Sequence, residues 1–303
     1  MEPMKRKKFL QLGSLGALST ALTPSLLSGL PTQSNDDPAN IAVQLYSVRK
    51  EIEKDIKVTL KRIADIGFDY VETAFWPEGI PLADAARYLK DTNLAVCSAH
   101  IEIPEGDQKA IMIETAKVFD CKKMIWHGWP EDIRYASAEG VKQLAAIYNK
   151  AHEFAKANGL SFGLHNHWWE FRNKIGDKFV YEILLQLLHR DIFFEIDTYW
   201  VKVAGHDPAV IIKKFGERAP LLHIKDGPAR WNESLADDNP DAMVAVGKGT
   251  QDFPSIVKAA AGNTDWMIVE MDKTEGDVFE ALQDSYNYLI KNKLAKGTKG
   301  IAG

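Results

Sequence analysis

The sequence predicts a closed (β/α)₈ barrel, eight parallel strands each followed by a helix. Three observations carry that reading. Eight short apolar runs alternate with stretches of helical periodicity. The eight units fit in roughly 250 residues, the usual size of such a domain. The runs end in polar, often metal-ligating residues, richest at His165-Asn166-His167, Glu195-x-Asp197, His223-x-Lys225 and Glu270-x-Asp272. Chemistry at the C-terminal ends of successive parallel strands is how a barrel of this type builds a site.

The elements follow in order. Residues 41–45 form the first strand. A helix over about 53–66 places Ile56, Leu60, Ile63 and Ala64 on one face, and Gly67 closes it. The second strand is 70–73 with a helix near 82–91. The third is 94–100 with a helix over 108–119. The fourth, 123–127, precedes a long helix over about 138–158. The fifth strand is 160–165 with a helix over 179–188, and the sixth is 192–197 with a helix near 208–215. The seventh, 221–225, is followed by a loop of about twenty residues and a helix over 253–261. The eighth is 266–270 with a final helix over 277–291. A doubly wound open sheet is the competing arrangement. It usually has fewer strands and a Gly-rich first turn, which is absent after strand one.

The chain has 303 residues, 46% of them hydrophobic and 26% charged, and a net charge of −5. One globular barrel accounts for the length. The acidic balance, with no Lys/Arg run beyond the N-terminus, argues against a nucleic-acid partner. Lys5-Arg6-Lys7-Lys8 precedes Phe9-Leu10 and a Leu/Ala/Gly/Ser stretch to about residue 30, the form of an export signal. It resembles a twin-arginine signal with Lys in the second Arg place. Gly13, Gly16 and Pro24 interrupt the apolar stretch, which favours export to the periplasm over a spanning anchor, with no stable membrane insertion after processing. The expected organisation is a signal over 1–30, a polar linker over 31–40, the barrel over 41–292 and a flexible tail over 293–303. Cys97 and Cys121 lie at different heights on neighbouring strands, about 10 Å apart along them, so two reduced thiols are expected.

Residues two apart on a strand share a face. Glu195 and Asp197 therefore point together, and burial under the helices without partners would be costly. Facing the barrel mouth, strands six, seven and eight converge Asp197, His223 and Glu270, a ligand set suited to a divalent metal. A buried ion-pair network is the bland alternative. Gln44, Tyr46, Glu72, His100 and His127 end the first four strands and are expected to line a substrate cavity. Trp200, among several Trp at strand ends, offers a face for a sugar ring. The segment 246–250 lacks the spacing of a phosphate loop and reads as a turn. The loop over 227–250 is long enough to act as a lid.

Together these stretches resemble the sugar phosphate isomerase/epimerase family, the xylose isomerase-like barrels that also include endonuclease IV. The resemblance rests on Val43-Gln44-Leu45-Tyr46-Ser47-Val48-Arg49, Gly163-Leu164-His165-Asn166-His167-Trp168-Trp169-Glu170-Phe171, Glu195-Ile196-Asp197-Thr198-Tyr199-Trp200 and His223-Ile224-Lys225-Asp226. Val246-Gly247-Lys248-Gly249-Thr250-Gln251-Asp252-Phe253 and Val269-Glu270 complete it. It implies a divalent metal, Mn²⁺ preferred and Zn²⁺, Co²⁺ or Mg²⁺ as alternatives, held by Asp197, His223, Glu270 and a strand-five carboxylate. Strand five departs from the pattern: His165 stands where the ketose epimerases have Glu. Either Glu170 reaches back to the metal or His165 is the ligand; Glu170 is the expected one. His165, His167 and Lys225 are then the base and acid candidates. The His-Asn-His stretch resembles enzymes that cleave 3-keto glycosides by elimination. The expected activity is that of a metal-dependent 3-keto-glycoside lyase acting on a small sugar substrate. The alternatives are an isomerase or epimerase, a nuclease disfavoured by charge, and a non-catalytic sugar-binding protein.

Overall fold

The computed structural model describes residues 38–237 and 239–298. The expected signal, most of the linker and residues 299–303 lie outside these. Among the described residues no helix is long and apolar enough to cross a membrane.

Along the chain the elements are β1 (Asn40–Gln44), α1 (Arg49–Lys54), α2 (Ile56–Ile66), β2 (Tyr70–Thr73), α3 (Leu82–Asp91), β3 (Ala95–Ile101) and α4 (Gln108–Val118). Then come β4 (Lys123–Trp126), α5 (Ala138–Ala157), β5 (Ser161–His165), α6 (Trp169–Arg172), β6 (Lys174–Ile175), β7 (Lys178–Phe179) and α7 (Val180–Leu187). The chain continues with β8 (Phe193–Asp197), α8 (Thr198–Val203), α9 (Pro208–Phe215), β9 (Leu221–Ile224), α10 (Phe253–Ala260), β10 (Trp266–Val269) and α11 (Val278–Lys291). Strands β1, β2, β3, β4, β5, β8, β9 and β10 pair in parallel in that order, and β10 closes on β1. The short β6 and β7 form a separate antiparallel hairpin.

Local chemistry explains where the chain departs from the expected boundaries. The first helix is broken at Asp55, whose backbone is extended and whose side chain accepts the N–H groups of Lys57 and Val58 and starts α2 afresh. Asp197 ends β8 and caps the unanticipated α8, accepting from Tyr199 and Trp200. The tail is not free over its described part. Lys296 bridges Asn40 in parallel, and its backbone exchanges hydrogen bonds with Ala39 and Ile41, so residues 293–298 pack beside the start of β1. Cys97 and Cys121 are unpaired thiols.

The barrel interior is layered, as inward positions recur every second residue. Ala42, Ile125, Phe193, Leu221 and Ile268 make an apolar floor. Each large aliphatic side chain buried there contributes about 1.5–3 kcal/mol. Gly163 leaves room for the Phe193 ring to cross it: a Cβ at 163 would lie 2.2 Å from Phe193 Cε2. Two residues further along the same strands stand Gln44, His127, Glu195, His223 and Glu270. The floor thus separates the buried polar side chains at the C-terminal strand ends from the opposite end of the barrel.

Candidate active site

Two tiers of polar side chains fill the barrel above this floor. Glu72 is fully buried, and it accepts from Gln44 Nε2 at 2.7 Å and from Ser98 Oγ at 2.5 Å. Glu195, also fully buried, takes His100 Nε2 at 2.7 Å on Oε2. Above them stand His165, Asp197, His223 and Glu270.

Two imidazoles join the tiers. His165 turns Nδ1 down to Glu195 Oε2 at 3.1 Å and presents Nε2 toward Asp197 Oδ2 at 3.8 Å. His223 turns Nε2 down to Glu72 Oε1 at 2.7 Å and presents Nδ1 beside Glu270 Oε2 at 2.6 Å. Each ring thus gives one nitrogen to a buried carboxylate and aims the other upward. That is how a carboxylate fixes the tautomer and orientation of a metal-ligating histidine. His165, Asp197, His223 and Glu270 offer four ligand atoms within 4.8 Å of one another.

A divalent ion fits this set. Asp197 Oδ1 is committed to the cap of α8, while Asp197 Oδ2 and His223 Nδ1 are buried without a properly directed hydrogen bond, despite nearby charged neighbours. Orphaned buried atoms of this kind call for a partner, and two imidazole nitrogens with two carboxylate oxygens suit a borderline cation. A model of the xylose isomerase-like TIM barrel family matches residues 60–291.

The chain belongs to that family.

No curated protein matches it. Among solved structures, this xylose isomerase-like barrel is similar to a sugar phosphate isomerase/epimerase from Parabacteroides distasonis: 24% identical over 85% of this chain and 100% of that one, TM-score 0.71. It is similar to the probable 3-DHS dehydratase AsbF of Bacillus anthracis, 15% identical over 82% and 98% of the two chains, TM-score 0.61. It is also similar to an IolI protein with a binding zinc atom, 16% identical over 84% and 98%, TM-score 0.60. At these identities the likeness establishes the fold.

Lys225 lies over the upper tier of the xylose isomerase-like barrel. It is 1% exposed, with Nζ 2.9 Å from Asp197 Oδ2, 2.7 Å from Glu270 Oε2 and 2.8 Å from Asp272 Oδ2. Burial alone would favour the neutral amine, but the three carboxylates outweigh it and hold Lys225 well above its ordinary pKa. His100 is likewise lowered by burial and raised more by Glu72 and Glu195, up to about 10. His165 is driven well below the usual histidine value by burial and by the neighbouring imidazoles, so it stands neutral. Burial raises Asp197, and burial lifts Asp272 to about 6. Negative charge is crowded here beyond what the local cations neutralise, which favours an added cation.

The predicted residues separate into groups. Asp197, His223 and Glu270 come together as expected. Glu170 does not join them. The chain leaves β5 at His165 and turns into α6, which carries Glu170 away from the barrel axis; its Oε2 accepts the His167 N–H at 3.0 Å beside Tyr135 and Tyr148. The fourth residue grouped with them is His165, the alternative to Glu170 at strand five and also an acid or base candidate. Gln44 and Glu72, expected to line the substrate cavity, are fully buried beneath it and bonded to each other. Tyr46, His100, His127, His167, Trp200 and Lys225 do line a cavity of about 1100 Å³ at the barrel mouth. His167 stacks on Trp169 at 4.4 Å, its Nδ1 buried and unpartnered. Burial, then the Lys225 charge, lowers its pKa well below the ordinary value.

Glu195, Ser98 and Asp272 were given no role from the sequence. Alternation along β8 already put Glu195 on the inner face with Asp197, and that was the available signal. Glu195→Gln is expected to weaken metal binding roughly 10–100-fold by releasing His165 from its fixed tautomer; equal affinity in a metal titration would contradict this.

Glu170 gives a pH prediction. Burial raises its carboxyl to about 8, so the folded chain holds this proton more tightly than the unfolded chain. Its contribution to stability is full below about pH 4.5, falls as pH rises, and levels off above about pH 8. Glu170→Gln keeps the acceptor for His167 and removes the titration. Urea unfolding is expected to show the variant gaining on the wild type by roughly 2 kcal/mol between pH 6 and 8, with metal binding retained.

Proposed function

We propose that this chain is a divalent-metal-dependent enzyme that enolises a keto sugar and, acting on a 3-keto glycoside, expels the aglycone by elimination. The observation that carries the reading is the convergence of His165 Nε2, Asp197 Oδ2, His223 Nδ1 and Glu270 Oε2 beside the cavity, with one unpartnered neutral imidazole, His167, lining the same space. An ion held by those four residues, Mn²⁺ being the first to test, would supply Lewis-acid polarisation of the sugar carbonyl.

The protein's own groups do the rest. His167, neutral near pH 7, takes the proton from the carbon beside the carbonyl through Nε2, since Nδ1 is sealed from the cavity. The electron pair left behind forms the carbon–carbon double bond as the bond to the glycosidic oxygen breaks. The same imidazole, now charged, returns its proton to the departing oxygen. Lys225 stays protonated and offsets negative charge that develops on the carbonyl oxygen. Glu72 and Glu195 hold the two ligating imidazoles in orientation from below.

Two features favour elimination over epimerisation. Strand five ends in His165 and brings no carboxylate to the mouth, so the base candidate on that side of the cavity is an imidazole. The cavity, about 1100 Å³, is large enough for a sugar with an attached aglycone. The proposed export agrees with a glycoside substrate met outside the cytoplasm.

The test is chelation and reloading with Mn²⁺, Zn²⁺ or Co²⁺, then incubation with a 3-keto-glucoside bearing a chromogenic aglycone. Metal-dependent aglycone release is expected, reduced about 10²–10⁴-fold in His167→Ala. Solvent-proton exchange into free keto sugars without release would replace the lyase reading by an isomerase one. Sugar binding with neither reaction would leave a binding protein.

A further inference from the structure

Away from the barrel mouth, α5 and the turn after α7 bring together His152, His189 and Asp191. Each offers one ligand atom, and the three atoms lie within 4.8 Å of one another. His152 is 4% exposed, yet neither ring nitrogen has a hydrogen-bond partner. Buried polar groups are nearly always satisfied, so two orphaned nitrogens on one ring need an explanation. No step of the proposed reaction uses them. The His152 ring lies against that of His189, with centroids 4.6 Å apart. The side chains of His189 and Asp191 are 49% and 53% exposed, so the group opens to solvent. Burial, then the His189 charge, lowers the His152 pKa and leaves the neutral, ligand-competent imidazole.

We propose that His152, His189 and Asp191 form a second metal site, for Zn²⁺ or a similar borderline divalent ion, which ties α5 to the turn leading into β8. Two imidazoles and a carboxylate leave one position for solvent in a four-coordinate site. Bond lengths of roughly 2.0–2.2 Å require the ligand atoms to close to about 3.3 Å; the half-exposed side chains of His189 and Asp191 supply that movement, with His189 Nδ1 accepting the Asp191 N–H at 3.1 Å before it. Lys156 Nζ, 2.7 Å from Asp191 Oδ2, is an exposed partner that an ion displaces at little loss. The site shares no residue with the barrel set. It grips the segment that enters β8, the strand carrying Glu195 and Asp197, so an ion here braces the catalytic strand from outside.

The test uses the full-length chain, stripped of metal and dialysed against Zn²⁺, with bound zinc counted per chain and the thermal midpoint measured with and without Zn²⁺. His189→Ala is expected to bind one equivalent fewer than the wild type and to lose part of the zinc-induced rise in midpoint. Asp191→Asn is expected to bind that equivalent at least tenfold more weakly. A wild-type count of one that falls to zero in His189→Ala would support this site while removing the barrel site. Equal zinc counts and equal midpoint shifts in the wild type and both variants would overturn the proposal.

Discussion

Replacing His223 by alanine is expected to abolish catalysis and tight metal binding together. His223 is fully buried and contacts Glu72 and Glu195 through Nε2 and Glu270 through Nδ1. Among the described residues no other side chain bridges the two tiers to three carboxylates. Loss of an outer hydrogen-bonding partner of a metal ligand costs about 10–100-fold in affinity, and loss of the ligand itself should cost more. The variant also leaves Glu72, Glu195 and Glu270 short of a cationic neighbour, so destabilisation of about 3–5 kcal/mol is expected from breaking buried pairs. Metal titration of the purified variant and its urea midpoint check both parts. A His223→Ala protein with unchanged metal affinity would show that the ring is only structural.

Lys225→Met should separate the two ways of neutralising the upper tier. In the structure the ammonium sits among Asp197, Glu270 and Asp272. Methionine has similar length and no charge, so three buried carboxylates would face one another. Without metal, a loss of about 3–5 kcal/mol is expected. With Mn²⁺ or Zn²⁺ present, much of that should return, because the ion supplies charge at two of the same carboxylates, Asp197 and Glu270. The measurement is the thermal midpoint of wild type and variant across a metal titration. A variant as stable as the wild type without metal, or one that metal does not rescue, would count against the shared-carboxylate geometry.

The barrel was legible in the sequence because its signals are local. Period-two strands and period-3.6 helices alternate eight times, and glycine closes α2. The inward face of β8, β9 and β10 followed from the same alternation, and so did the meeting of Asp197, His223 and Glu270. What alternation does not encode is height along the barrel axis. Gln44 ends β1 and Glu72 stands one residue from the end of β2, as His100 does in β3, yet Gln44 and Glu72 lie beneath the cavity and bond to each other. Nor does it say where a strand stops. His165 is the last strand residue of β5, so residues after it leave the two-residue rhythm, and Glu170 follows α6 outward. Asp197 shows the converse: one side chain caps α8 and serves the site, and the cap hid the helix behind a strand ending.

The long connection after β9 is held at its base. The Asp226 carboxylate accepts the backbone N–H groups of Gly227, Gly247, Gly249 and Gln251. Gly249 approaches so closely that a Cβ there would lie 2.1 Å from Asp226 Oδ1. Backbone pairing of Asp226 with Val244 and of Met243 with Lys273 draws the returning arm in as well. The connection therefore behaves less as a swinging flap than as a cartridge clipped into a fixed socket. The interval between the clips carries Trp231, which packs on Trp168, and the buried Leu235. Grafting that interval from one barrel to another, with Asp226 and Gly249 kept, is a route to new substrate preference on an unchanged reaction centre.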